Sequence, residues 1–274
     1  MDPWLESLAV ALLAFVGVLL GRWFSRLPRP YWVIGYFFPL ALVFLYGLAS
    51  RKPALSLIAP ISWMMMGRNK FAVIGFICTM VLTTPLSRLQ PPRARSLVSL
   101  LMALVVFDMS VWPFLAPAFN RKHLANLQTH LDQDEVCLQS NDYNCGPAAA
   151  VTALRKLGFP AEEGEIAILA HTSTATGTPP DILAQALQRR YGKDGLLSEY
   201  RVFNSLDELK QAGLTLAIIR YTFWLDHYVT ILEITDRDVV VGDPMRGLAR
   251  ISKADFQASW RFVGVVLKRQ ERGL

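Results

Sequence analysis

The run Gln139-Ser140-Asn141-Asp142-Tyr143-Asn144-Cys145-Gly146-Pro147-Ala148-Ala149-Ala150 decides how this chain is read, because it places a cysteine at the expected first turn of a helix. Free backbone N–H groups and the positive end of the helix dipole favour negative charge there. With a histidine partner, such a site can lower a thiol pKa by several units from about 8.5. Gln139, six residues upstream, is placed to lend an amide N–H to an oxyanion. Taken alone, Cys-Gly-Pro is also met as a small buried thiol opening an ordinary helix.

A cysteine nucleophile needs a base, and the chain has only four histidines. His123 and His130 fall in a polar connector, and His171 closes an expected helix before a Thr/Ser-rich turn. His227 differs, because it begins the alternating run His227-Tyr228-Val229-Thr230-Ile231-Leu232-Glu233-Ile234, which reads as a strand. Sixteen positions later Asp238-Val239-Val240-Val241-Gly242-Asp243-Pro244 reads as a buried strand ending in an acid and a turn. A hairpin of the two would bring Asp243 to the imidazole and fix its tautomer. Read singly, Asp243 is better taken as an ordinary turn aspartate before proline.

In order, Gln139, Cys145, His227 and Asp243 resemble the site of a papain-like cysteine peptidase. More narrowly, Gln-Ser-x4-Cys-Gly-Pro-Ala-Ala, Gly177-Thr178, Asp226-His227-Tyr228-Val229 and Gly242-Asp243-Pro244 resemble the bacteriocin-processing peptidases that cleave after a double-glycine leader. The resemblance spans about residues 134 to 268. It implies Cys145 as nucleophile, His227 as base, Asp243 as its orienter and Gln139 as oxyanion donor. One departure is Asn144, where the family usually has aspartate. Asparagine keeps the hydrogen-bonding shape and drops the charge.

The net charge of +6 conceals two unlike halves. Through residue 120 there are ten Lys/Arg against Asp2, Glu6 and Asp108, whereas the remainder has 18 basic and 19 acidic residues. Positive charge scattered among apolar runs points to anionic lipid heads and away from nucleic acid. Trp4–Trp23 and Tyr31–Ala49 are long enough to cross about 30 Å of hydrocarbon, Lys70–Leu86 is borderline, and Leu97–Pro117 is a fourth candidate. Acids where a signal peptide would carry positive charge argue against cleavage of the first run. Ala54–Met66, with Pro60 and the Trp63-Met64-Met65-Met66 cluster, is a fifth segment too short for an easy crossing, open to lying in the interface, re-entering or pairing with the next segment. Four crossings put the C-terminal domain on the side of the N-terminus and five put it opposite; the Lys/Arg tally leans slightly to a cytoplasmic domain. Asp108, mid-span, is expected to face other helices or to be protonated.

The organisation expected is a transmembrane helical region over 1–120, a connector over 121–133 and a peptidase domain over 134–268. The fold class is thus an α-helical membrane region followed by an α+β papain-like domain, helices first and an antiparallel sheet after. Helices are expected over Cys145–Gly158, Glu163–His171 and after a Thr178 cap, with a capping box at Ser205–Glu208. Strands are expected over Thr215–Tyr221, His227–Thr235, Val239–Asp243, Leu248–Ile251 and Phe262–Leu267. No cofactor or metal is expected, since the chain lacks CxxC and a His/Cys cluster. It also lacks a Gly-x4-Gly-Lys-Ser/Thr phosphate loop, so the ATPase that often accompanies the family's domain is missing from this sequence. The resemblance implies a peptide or protein substrate handled at a lipid bilayer, together with a separate ABC-type exporter. Two other readings stay open at this point: a non-catalytic module that binds leader peptides, and a papain-like acyl transferase or amidase.

Overall fold

The computed structural model describes residues 3–28, 30–51, 60–61, 64, 68–89, 91–222 and 225–270. The chain divides into two compact units, Met1–Ala118 and Phe119–Leu274.

In the first unit, α1 (Pro3–Ser25), α2 (Ile34–Arg51), α3 (Asn69–Thr83) and α4 (Pro92–Val106) are apolar helices, and a π-helical turn, Phe107–Val111, joins α4 to α5 (Trp112–Ala125). Among the described residues, three stretches are long and apolar enough to cross a membrane: Pro3–Ser25, Tyr31–Ala49 and Pro92–Ala125. The expected borderline span is a 15-residue helix, and the expected Leu97–Pro117 span lies inside one run of 34 residues that continues to Ala125. The expectations for Ala54–Met66 lie outside the described residues, apart from Pro60, Ile61 and Met64. Helices α1 and α3 approach closely because Gly21 has no side chain; a Cβ there would stand 2.8 Å from the Met80 carbonyl oxygen.

Asp108 does not face a neighbouring helix. It lies on the exposed side of the π-helical turn, whereas Ser110 is buried against Gly75. The extra residue of a π turn re-phases the helix face, which periodicity alone does not reveal.

The second unit is α+β. A short ladder, β1 (His130–Leu131) with β2 (Cys137–Leu138), precedes α6 (Cys145–Lys156), α7 (Glu163–Leu169) and α8 (Pro180–Tyr191). Then follow β3 (Leu196–Val202), α9 (Leu206–Ala212), β4 (Thr215–Arg220), β5 (Asp226–Ile234), β6 (Asp238–Asp243), β7 (Gly247–Ser252), α10 (Lys253–Ser259) and β8 (Trp260–Arg269). Strands β3 to β8 form one antiparallel sheet in the order β3-β8-β4-β5-β6-β7.

Alternation along the strands divides the core between two faces. Leu216, Ile218, Tyr228, Val265 and Leu267 pack with α6 and α8. Ala217, Val229, Ile231, Val241 and Val266 pack with Phe203, Phe256 and Trp260 on the other face. This is the period of two expected of a sheet covered on both sides. Helix α6 is buried from Cys145 through Leu154, and its small residues let it lie close to the sheet. Thr230 Oγ1 donates to the Ala149 carbonyl at 2.9 Å, and Thr152 Oγ1 accepts from the Cys137 N–H at 2.9 Å.

Local endings depart from expectation at two places. Thr178 does not cap α8, which starts at Pro180 without a side-chain cap; its hydroxyl instead meets Thr172 Oγ1 at 2.8 Å. Ser205 Oγ accepts from Glu208 N at 3.2 Å as expected, but the Glu208 carboxylate reaches Asn204 N and not Ser205 N. Helix α6 ends as expected before Gly158, whose φ of +76° suits a residue without a Cβ.

Candidate active site

Cys145 opens α6, after a tight turn in which Asn144 N donates to the Asn141 carbonyl at 3.1 Å. The thiol is largely enclosed, with 8% of the residue exposed. Gly146 lets the helix start pass beneath Thr178 and Tyr228, for a Cβ there would lie 3.0 Å from Thr178 Cβ and 3.4 Å from Tyr228 Cε2. The Tyr228 hydroxyl in turn donates to the Thr178 carbonyl at 3.0 Å.

His227 lies at the start of β5 and Asp243 at the end of β6. The antiparallel register Thr230↔Gly242 sets these two strand ends side by side. His227 Nε2 is 2.7 Å from Asp243 Oδ1, and both side chains are buried. The Cys145 sulfur lies near enough to the His227 ring to raise its proton affinity. Because Nε2 is occupied by Asp243, the nitrogen left to face the sulfur is Nδ1. Tyr221 covers the imidazole with ring centroids 6.0 Å apart.

Electrostatics favour the charged forms of His227 and Asp243. Burial alone pulls the His227 pKa down, but the hydrogen bond to Asp243 and the neighbouring Cys145 sulfur outweigh it and raise the imidazole to about 9. Burial pushes the Asp243 carboxyl up; the His227 bond and the Met245 N–H, which donates to Oδ1 at 2.9 Å, more than reverse this and hold it below the usual carboxylate range. Cys137 shows the opposite outcome for a thiol: burial foremost, then the nearby Glu163, push it up to about 12.

Gln139 is anchored by its backbone, its N–H donating to the carbonyl of Pro244, the residue after Asp243, at 2.9 Å. Its side-chain Oε1 is buried and has no hydrogen-bond partner among the described residues. The other histidines stand elsewhere. His123 Nε2 meets the Tyr143 hydroxyl at 2.8 Å, His130 is in β1, and His171 has a left-handed φ of 51°.

Sequence reasoning missed Glu163 and the use made of Ser140 and Asn144. Glu163 is fully buried at the start of α7; its Oε1 accepts the Ser140 N–H at 3.0 Å, its Oε2 lies 2.6 Å from Ser140 Oγ, and the buried Asn144 amide lies beside it. A glutamate opening a helix is ordinary in sequence, where it complements the dipole. Only its depth marks it out.

The profile of the Peptidase C39 family matches residues 133–272. An uncharacterized protein of Methanothermobacter marburgensis is 29% identical over 146 residues, covering 53% of this chain and 96% of that protein. The pediocin PA-1 transport/processing ATP-binding protein of Pediococcus acidilactici is 28% identical over 134 residues, covering 47% of this chain; the chain spans 18% of its length. Among solved structures, a double glycine motif protease from an AMS/PCAT transporter, in complex with its leader peptide, is 18% identical with a TM-score of 0.41, covering 53% of this chain and 96% of that one. The peptidase domain of Streptococcus ComA, a bi-functional ABC transporter, is 20% identical with a TM-score of 0.41, covering 48% of this chain and 96% of that one.

Proposed function

The chain belongs to the peptidase C39 family, and from that premise we propose that it is a membrane-anchored cysteine peptidase that cleaves leader peptides after a double-glycine-type motif. The observation that carries this reading is the buried His227–Asp243 pair at 2.7 Å with the Cys145 sulfur beside it and the imidazole pKa raised to about 9.

In the proposed reaction His227 is protonated at neutral pH and Cys145 attacks as the thiolate. The sulfur adds to the scissile carbonyl carbon, and the oxyanion is held by the Gln139 amide and the Cys145 backbone N–H. His227 gives a proton to the leaving amine, which departs with the C-terminal fragment. The neutral imidazole then takes a proton from water as that water attacks the thioester, releasing the leader and restoring the thiolate–imidazolium pair. Asp243 keeps the ring oriented throughout and stabilises its charge. The apolar helices of the first unit would hold the enzyme in a bilayer as a multi-pass protein, where peptides arrive for export through a separate ABC-type transporter.

The full chain in detergent micelles, with and without Cys145→Ala, tests this on peptides whose leaders end in Gly-Gly. Cleavage after the second glycine by the parent and none by the variant is expected. Equal cleavage by both, or none by either across a library of such leaders while Cys145 resists a thiol-reactive acyl electrophile, would overturn the assignment.

A further inference from the structure

Ser140 has one hydroxyl proton and two close oxygens to satisfy, Glu163 Oε2 at 2.6 Å and the Gln128 carbonyl at 3.0 Å. A hydroxyl can donate only once. Both contacts become hydrogen bonds when Glu163 Oε2 carries a proton, donates it to Ser140 Oγ, and Ser140 donates on to Gln128. Glu163 Oε1 then accepts the Ser140 N–H.

Resting on the peptidase reading above, we infer that Glu163 is a positioning residue whose un-ionised carboxyl clamps Ser140 and thereby fixes Gln139 for the oxyanion. The segment is held from both sides, since Gln139 N–H is bound to the Pro244 carbonyl and Ser140 to Glu163. A neutral carboxyl also adds no negative charge near the thiolate. His130, Cys137 and Tyr143 are the titratable groups that interact with Glu163, and Arg155 is engaged by Glu162 at 3.1 Å. No cation makes an ion pair with Glu163 among the described residues. Burial raises its pKa, against the lowering effect of Ser140, Asn144 and His130.

Glutamine reproduces the protonated acid, with Nε2 donating to Ser140 Oγ and Oε1 accepting from Ser140 N–H. On the full chain, Glu163→Gln should keep kcat within about threefold of the parent. Glu163→Ala should lose about 10² in kcat with KM little changed. Hydrogen exchange at the Gln139 and Ser140 amides should stay slow in Glu163→Gln and quicken in Glu163→Ala, whether or not any peptide is cleaved. Difference infrared spectra, parent minus Glu163→Gln, should show the carbonyl band of an un-ionised acid at neutral pH. A carboxylate band instead, or Glu163→Gln as impaired in exchange and kcat as Glu163→Ala, overturns the inference. A parent that cleaves no leader while these spectra and exchange rates hold would sink the peptidase reading and leave the clamp standing.

Discussion

His227 Nε2 lies 2.7 Å from Asp243 Oδ1 with both side chains buried, so the proton affinity of the imidazole is tied to a neighbouring carboxylate as well as to the sulfur. The pair forms because two antiparallel strands end beside each other, one starting with the base and the other finishing with the acid.

That relationship sets a pH dependence of stability. The folded pKa of about 9 stands above the ordinary 6.5 of histidine, so the folded state binds the proton more tightly than the unfolded chain does. The stability it contributes is fully present below about pH 6.5 and is lost as pH rises through about 9, on the order of 3 kcal/mol in all. Asp243→Asn should reduce this slope, since the bond to Asp243 is the largest of the effects that raise the imidazole. Denaturant titrations of both proteins across that window check it, and parallel slopes would mean that Asp243 does not raise the imidazole.

Gln139 is expected to act on the transition state and not on substrate affinity. Gln139→Ala should lower kcat by about 10²–10³ and leave KM nearly unchanged. Steady-state kinetics on a Gly-Gly leader peptide decide the matter. A rise in KM at constant kcat would assign Gln139 to substrate binding.

Gly146 has no room for a side chain. Thr178 cannot easily retreat from a new Cβ, because its hydroxyl is bonded to Thr172 and its carbonyl to the Tyr228 hydroxyl. Gly146→Ala should therefore destabilise the second unit by about 1–3 kcal/mol. Faster hydrogen exchange of the α6 amides is the expected signature, and unchanged protection would show that the loop at Thr178 yields.

Much of this site could be read in the sequence because each element carries a local signal. Cys145 precedes a run of small residues at helical spacing, and His227 and Asp243 sit at the ends of alternating apolar segments. Strands β4 to β8 were legible for the same reason, as were the two longest apolar helices. Strand β3, Leu196–Val202, was not, because Glu199 and Arg201 dilute its apolar content and its pairing with β8 is non-local. The π turn at Phe107–Val111 and the side Asp108 faces depend on packing between helices, which one helix's periodicity does not record. Glu163 escaped for a similar reason. Its burial arises from Ser140, twenty-three residues earlier in the chain.

Asn144 and Glu163 together yield the last prediction. Both are fully buried and their side chains lie together, so Asn144→Asp would set a second carboxyl beside the first. Glu163 already keeps its proton by the inference above, and burial beside it holds a proton on the new carboxyl too, so the folded variant retains one proton more than the folded parent. The folded state then holds protons that the unfolded chain has released above about pH 4. Stability must fall as pH rises from that point, because the unfolded state binds fewer protons. Asn144→Asp should be less stable than the parent at neutral pH by about 1–3 kcal/mol and should approach it near pH 4. Combining it with Glu163→Gln removes one of the two acids, so the double variant should regain much of the lost stability at neutral pH. Urea unfolding at several pH values separates the cases: an Asn144→Asp profile that merely parallels the parent at every pH would show that position 144 does not communicate with Glu163.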